Sequence, residues 1–293
     1  MKAESERKMA LAEHIDDLRR RLIRAVAGLA VGVIVAFIFT KSILAMLFYP
    51  LAAGSAGQPP SVYYSSLPQA VTTYFTVALV AGCIIASPYI LYQLWMFIGA
   101  GLYPKERRVL GKFFLPAVGL FLLGVAFFFV LISPLIVRYL MLFGQTAFPT
   151  PEVPSWMHWM TRLVEHTGEH GVVTSQPVAE AAGVRPWLSL NDYISFICMV
   201  SLVFGLAFEM PLVVILLVRV GILKREKLKK FRKYVFFCIV VLAAIISPTP
   251  DVMTMMAMAL PMYLLYEVGL ALAKPPPPKP SDEIVVSAHE PPS

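Results

Sequence analysis

The residues in this 293-residue chain whose types and spacing could do chemistry fall into three groups. The first is His166-Thr-Gly-Glu169-His170, which fits the H-x-x-E-H pattern of a zinc-protease class, where one helical face presents both imidazoles to the metal. Gly168 stands inside that turn and Gly171 follows it, so a stable metal-binding helix is disfavoured and the stretch reads as a polar loop. All five histidines (His14, His158, His166, His170, His289) lie outside the apolar runs, which leaves no nucleophile and base within them. The three cysteines, Cys83, Cys198 and Cys238, are odd in number and each sits in an apolar stretch. They read as small packing residues rather than a disulfide framework or thiolate site. Neither an enzyme, a metal nor a cofactor is expected.

The second group centres on Glu209, an acid inside an apolar run ten residues before Arg219, with Pro211 two positions on. At 1.5 Å per residue it lies about 15 Å along a helix from that arginine, near a bilayer midplane. There an acid costs about 2.5 to 3.5 kcal/mol on the lenient insertion scale and must face protein or water. The third group is a set of acids among arginines: Asp16 and Asp17 before Arg19, Arg20 and Arg21, and Glu106 before Arg107 and Arg108. A carboxylate accepts a bidentate pair of charge-assisted hydrogen bonds from a guanidinium that a lysine cannot reproduce. Its alternative use is a weak, solvated ion pair with a neighbour.

Elements able to hold these groups follow from the composition. Hydrophobic residues make up 58% and charged residues 15%, with mean hydropathy +0.72, well above a soluble domain. Leu11, Ile15, Leu18 and Leu22 form an apolar stripe on an amphipathic N-terminal segment, residues 1–24, expected at the membrane surface. Apolar runs then predict six crossings within a membrane domain of residues 25–273: 25–40, 71–98, 113–137, 193–218, 234–247 and 253–266. The last two are 14 residues each, about 21 Å against a hydrocarbon core of about 30 Å.

Basic residues settle orientation. Segments 1–24, 105–112, 219–233 and 274–279 hold 21 of the 25 lysines and arginines, which places both termini in the cytoplasm. The net charge of +7 is thereby assigned to topology, and no nucleic-acid module is visible. Residues 139–192 form an acidic extracytoplasmic insert, and residues 274–293 a disordered Pro-rich tail. Pro50 opens a Pro/Gly/Ser-rich connection, while Pro88, Pro116, Pro134, Pro211, Pro248, Pro250 and Pro261 lie in or beside spans. Their kinks favour a curved bundle. The expected fold is an all-α membrane protein with six transmembrane helices, N-in and C-in, forming a concave scaffold whose last two helices are short.

Four blocks in order resemble the TatC subunit family of the twin-arginine protein translocase. These are His14-Ile-Asp-Asp17-Leu-Arg19-Arg-Arg21-Leu22; Ser87-Pro88 through Phe97, continued by Gly101-Leu-Tyr103-Pro-Lys-Glu106-Arg107-Arg108; Phe204-Gly205-Leu-Ala-Phe208-Glu209-Met-Pro211; and Ser247-Pro248-Thr-Pro250-Asp251-Val252 with Leu260-Pro261-Met-Tyr263. The resemblance implies a receptor in a bacterial cytoplasmic (inner) membrane. Such a receptor binds twin-arginine signal peptides of folded cargo and assembles TatA-like and TatB-like subunits, in a homo-oligomeric complex driven by the proton-motive force. It implies signal-peptide binding at Asp17, Glu106 and Phe97, with Asp16 and Arg19 beside them. It also implies partner docking at Glu209, and a sixth-helix contact at Thr254 or Met255, where the family often has glutamine. Pro50, Pro88, Pro211, Pro248 and Asp251 are the expected structural positions. Asp17 is one methylene shorter than the family's glutamate. The alternative reading is a proton-coupled secondary transporter using Glu209.

Overall fold

The computed structural model describes residues 2–54, 62–63, 66–100, 104–147, 188–247 and 251–273, and among these described residues it has ten α-helices and a two-residue strand pair. The side chains of 2–14, 54, 100, 104–110, 112, 144–147 and 188 lie outside that description. The helices are α1 (Lys2–Leu47), α2 (Tyr49–Gly54), α3 (Leu67–Ala100), α4 (Pro104–Phe127), α5 (Ser133–Ala147), α6 (Leu190–Phe208), α7 (Met210–Arg219), α8 (Arg225–Lys230), α9 (Arg232–Ile246) and α10 (Val252–Leu272). Among the described residues five segments are long and apolar enough to cross a membrane: Ile15–Ala53, Leu67–Gly99, Phe113–Phe143, Leu190–Arg219 and Val252–Leu272.

The fifth predicted crossing, α9, is 15 residues long, about 22 Å, and stays below a full span. Its neighbour α10 differs from expectation. The apolar run ends at Glu267, but the helix continues to Leu272 and reaches 21 residues, about 31 Å. The acid does not stop it because its carboxylate is satisfied: Arg232 Nη2 donates to Glu267 Oε2 at 2.7 Å, and Tyr263 Oη donates to Oε1 at 2.8 Å. Of the two helices expected to be short, only α9 is.

Residues 1–24 and the first crossing are not separated by a break, since α1 runs unbroken through both. It packs along α3 at a distance set by glycine. A Cβ on Gly32 would stand 2.5 Å from the Gly82 carbonyl oxygen, and one on Gly82 would stand 2.6 Å from Val33 Cα. Neither helix could keep this approach with a larger residue at the crossing. At the end of α1 the Leu47 carbonyl has no intrahelical donor; Tyr193 Oη on α6 supplies one at 2.8 Å.

Pro88, Pro116 and Pro261 sit inside continuous helices. Pro134 follows a single π-helical turn, Phe128–Ile132, that joins α4 to α5. A proline cannot donate to the preceding turn, and the chain takes up the mismatch by widening there, with Ser133 Oγ donating to the freed Phe129 carbonyl at 2.9 Å. Pro50 is buried in α2, and Pro248 lies outside the described residues. The core lies where α1, α3, α4, α6, α9 and α10 meet, around Val77, Phe128, Ile197, Phe204, Ala243 and Met258. One feature escaped the all-α expectation: Val62–Tyr63 pairs in parallel with Leu188–Ser189, tying the first connection to the end of the long insert.

Candidate functional site

Two separate groups of the predicted residues can be placed. Within α1, Asp17 and Arg21 are four residues apart with the acid N-terminal, a spacing that lets them meet on a helix. Arg21 Nε donates to Asp17 Oδ2 at 2.8 Å, and the two side chains are 33% and 16% exposed, Asp17 first. The stem of Arg21 joins Leu18, Leu22, Gln93, Leu94 and Phe97 around an apolar crevice of about 180 Å³ between α1 and α3. Asp17 therefore stands one turn from the crevice that holds Phe97. Asp16 and Arg19 are exposed on other faces of α1 and do not line it. Glu106 falls in the first turn of α4, and its side chain lies outside the described residues.

The second group is deeper. Glu209 is the junction residue between α6 and α7, in a turn where its N–H donates to Leu206 O at 3.1 Å and its carbonyl accepts from Val213 N at 3.0 Å. Pro211, in the first turn of α7, explains the break, because it has no N–H to continue the α6 ladder. The residue is 7% exposed, and its Oε1 finds no hydrogen-bond partner among the described residues. It therefore faces protein, as the cost of an acid in hydrocarbon demands.

Thr254 and Met255 do not join it. A Cβ on Gly269 would lie 2.6 Å from Pro211 Cα, which fixes α10 against α7 at that level. Thr254 is fifteen residues, about 22 Å, farther along α10. Thr254 is fully buried, with Oγ1 also unpartnered among the described residues, and Met255 is half-buried. Asp251 caps α10: its Oδ2 accepts from Thr254 N at 2.8 Å.

Sequence reasoning missed three contacts. The Asp17–Arg21 pair was available from its spacing. The Arg232–Glu267 pair and the Tyr193–Leu47 bond span 35 and 146 residues, so no local pattern carries them. The histidine motif at 166–170 lies outside the described residues, and among those described no group of histidine, cysteine, aspartate or glutamate could hold a metal.

Comparison with known proteins covers both groups. A family profile described as "Sec-independent protein translocase protein (TatC)" matches residues 13–261. The chain is 33% identical over 268 residues to the TatC protein of Aquifex aeolicus, covering 91% of this chain and 95% of that one. It is 32% identical to that of Deinococcus radiodurans, over 90% and 85% of the two chains. A crystal structure of the twin-arginine translocase receptor TatC superposes with a TM-score of 0.68 at 32% identity, covering 89% of this chain and 97% of that chain.

Proposed function

The chain belongs to the TatC family, and as such it is a multi-pass membrane component of protein transport rather than an enzyme; from this premise we propose that it is the receptor and scaffold of a twin-arginine translocase. It binds signal peptides at the cytoplasmic face of a bacterial inner membrane and gathers TatA-like and TatB-like subunits under the proton-motive force. Six crossings with both termini inside fit the charge distribution.

The observation that carries this reading is the Asp17 carboxylate, one-third exposed, a turn away from the apolar crevice at Phe97. A signal peptide presents two planar cations followed by an apolar stretch, and an acid beside an apolar crevice is complementary to both parts. Glu106 supplies a second carboxylate for the second guanidinium. Asp16 and Arg19, exposed on neighbouring faces, set the local charge rather than line the crevice. Glu209 is the intramembrane acid to which a partner's helix docks. Because it is 7% exposed, that docking requires the groups covering it to move.

The test is equilibrium binding of a labelled twin-arginine peptide to the full-length protein in lipid nanodiscs. The native protein should bind it at least about tenfold more tightly than a twin-lysine peptide, the equivalent of about 1.4 kcal/mol. An Asp16, Asp17 and Glu106 triple neutral variant (D16N/D17N/E106Q) should lose that preference. An undiminished preference for the twin-arginine peptide in this variant would refute the site.

A further inference from the structure

The most concentrated charge in the molecule lies outside both groups. Residues 219–233 hold eight lysines and arginines and a single acid, Glu226. Such a run ordinarily reports only topology, but here the chain is fastened in place. Gly221, at φ +80°, ends α7 by donating its N–H to Val218 O at 3.1 Å, and turns the chain back toward the bundle. Arg225 then reaches the end of α10, where Nε donates to Leu270 O at 3.1 Å and Nη2 to Ala271 O at 3.3 Å. Tyr266 Oη donates to Leu228 O at 2.8 Å, and Leu228 packs on the cluster of Val214, Val218, Tyr266 and Leu270. Arg232 closes the run through its pair with Glu267.

Two of the eight cations are thus consumed in holding the segment against the ends of two apolar spans, Leu190–Arg219 and Val252–Leu272. The other six, Arg219, Lys224, Lys227, Lys229, Lys230 and Lys233, are exposed, and among the described residues none forms an ion pair. Interleaved with them are apolar side chains that also face outward: Ile222 at 61% exposure, Phe231 at 53% and Tyr234 at 66%, the last two rings 5.7 Å apart. Cations alternating with exposed aromatics at the end of a span are the composition of the headgroup layer, where rings sit at the interface and ammonium groups meet phosphate.

We propose that residues 219–233 form a binding surface for anionic phospholipid headgroups, with Lys224, Lys227, Lys229 and Lys230 as the contacting cations and Arg225 and Arg232 as the straps that present them. Lipid is favoured over a soluble acidic partner because the segment is tied to both span ends and carries its own interfacial aromatics. A solvated loop reaching for a protein would need neither. Six unpaired cations select an anionic headgroup over a zwitterionic one by charge alone. This surface is independent of the signal-peptide reading and needs only that the flanking spans cross the membrane.

The experiment is native mass spectrometry of the full-length protein released from nanodiscs of phosphatidylcholine with about one quarter phosphatidylglycerol. Retention of each lipid is compared as detergent is raised. The native protein should retain phosphatidylglycerol over phosphatidylcholine by about tenfold, and a K224Q/K227Q/K229Q/K230Q variant should retain the two nearly equally. Among the described residues the side chains of those exposed lysines form no hydrogen bond or ion pair, so the variant's thermal midpoint should match the native one. The corresponding four-arginine variant should restore the preference. Raising salt from about 0.05 to 0.5 M during release should weaken the native preference, which tests the charge mechanism without any substitution. Equal retention of both lipids by the native protein, or undiminished preference in the four-glutamine variant, overturns the proposal.

Discussion

Glu209 and Asp251 show how differently two acids in one membrane protein are used. Asp251 is at a helix N-terminus, where a carboxylate accepts from the Thr254 amide and faces the positive end of the helix dipole. Asp251→Ala should therefore cost about 1 kcal/mol and lower the thermal midpoint in detergent by a few degrees, readable by scanning fluorimetry. Glu209 has no such partner for Oε1 among the described residues. Removing a buried polar atom that is unsatisfied relieves a cost rather than losing a bond. Glu209→Leu is expected to keep or raise the thermal midpoint while transport of a folded twin-arginine reporter falls. Full transport by that variant would reduce the acid to a packing residue. Both acids are plain in the sequence. That one is capped and the other is not depends on which backbone N–H lies within reach.

At the scale of elements, close helix contact explains what hydropathy alone leaves open. The α1–α3 contact rests on Gly32 and Gly82, with Val33 and the opposite backbone already at the distance a Cβ would occupy. Gly82→Leu should force the helices apart and cost several kcal/mol, in the range of severe overpacking. The expected result is loss of the monodisperse peak in size-exclusion chromatography, whereas Gly119→Leu, with open space around its position, should be tolerated. Helix α9 is 15 residues long, about 8 Å less than the hydrocarbon core. A mismatch of that size costs fractions of a kcal/mol per Å and is relieved by thinning the bilayer or by neighbours. If local thinning assists cargo passage, four leucines added within α9 should impair transport at unchanged receptor abundance. Unimpaired transport would remove the thinning role. The apolar run of each span was readable residue by residue, but the π turn before Pro134 and the continuity of α3 through Pro88 were not. A proline states which bond is missing, and only the neighbouring helices decide whether the chain bends, widens or runs on.

For the molecule as a whole, charge and hydropathy did most of the work: the length of each apolar run, the alternation of basic segments and four ordered blocks of residues together define a TatC-family membrane protein. These are local properties, each fixed by side chains a few residues apart and by the thickness of the bilayer, so the linear chain contains them in full. The tertiary structure decided how distant segments satisfy one another. Tyr193 completes the end of α1, Arg232 lets α10 run past Glu267, and Arg225 with Tyr266 pins the basic segment to the last helix. It also set Glu209 and Thr254 at different levels of the bundle, because α7 and α10 meet at Pro211 and Gly269, far along the helix from Thr254. The physical reason is common to all of these. A hydrogen bond or a close backbone contact acts over a few ångströms, and which groups come within that range across 35 or 146 residues is set by packing of the whole bundle, not by any pattern in the residues between them.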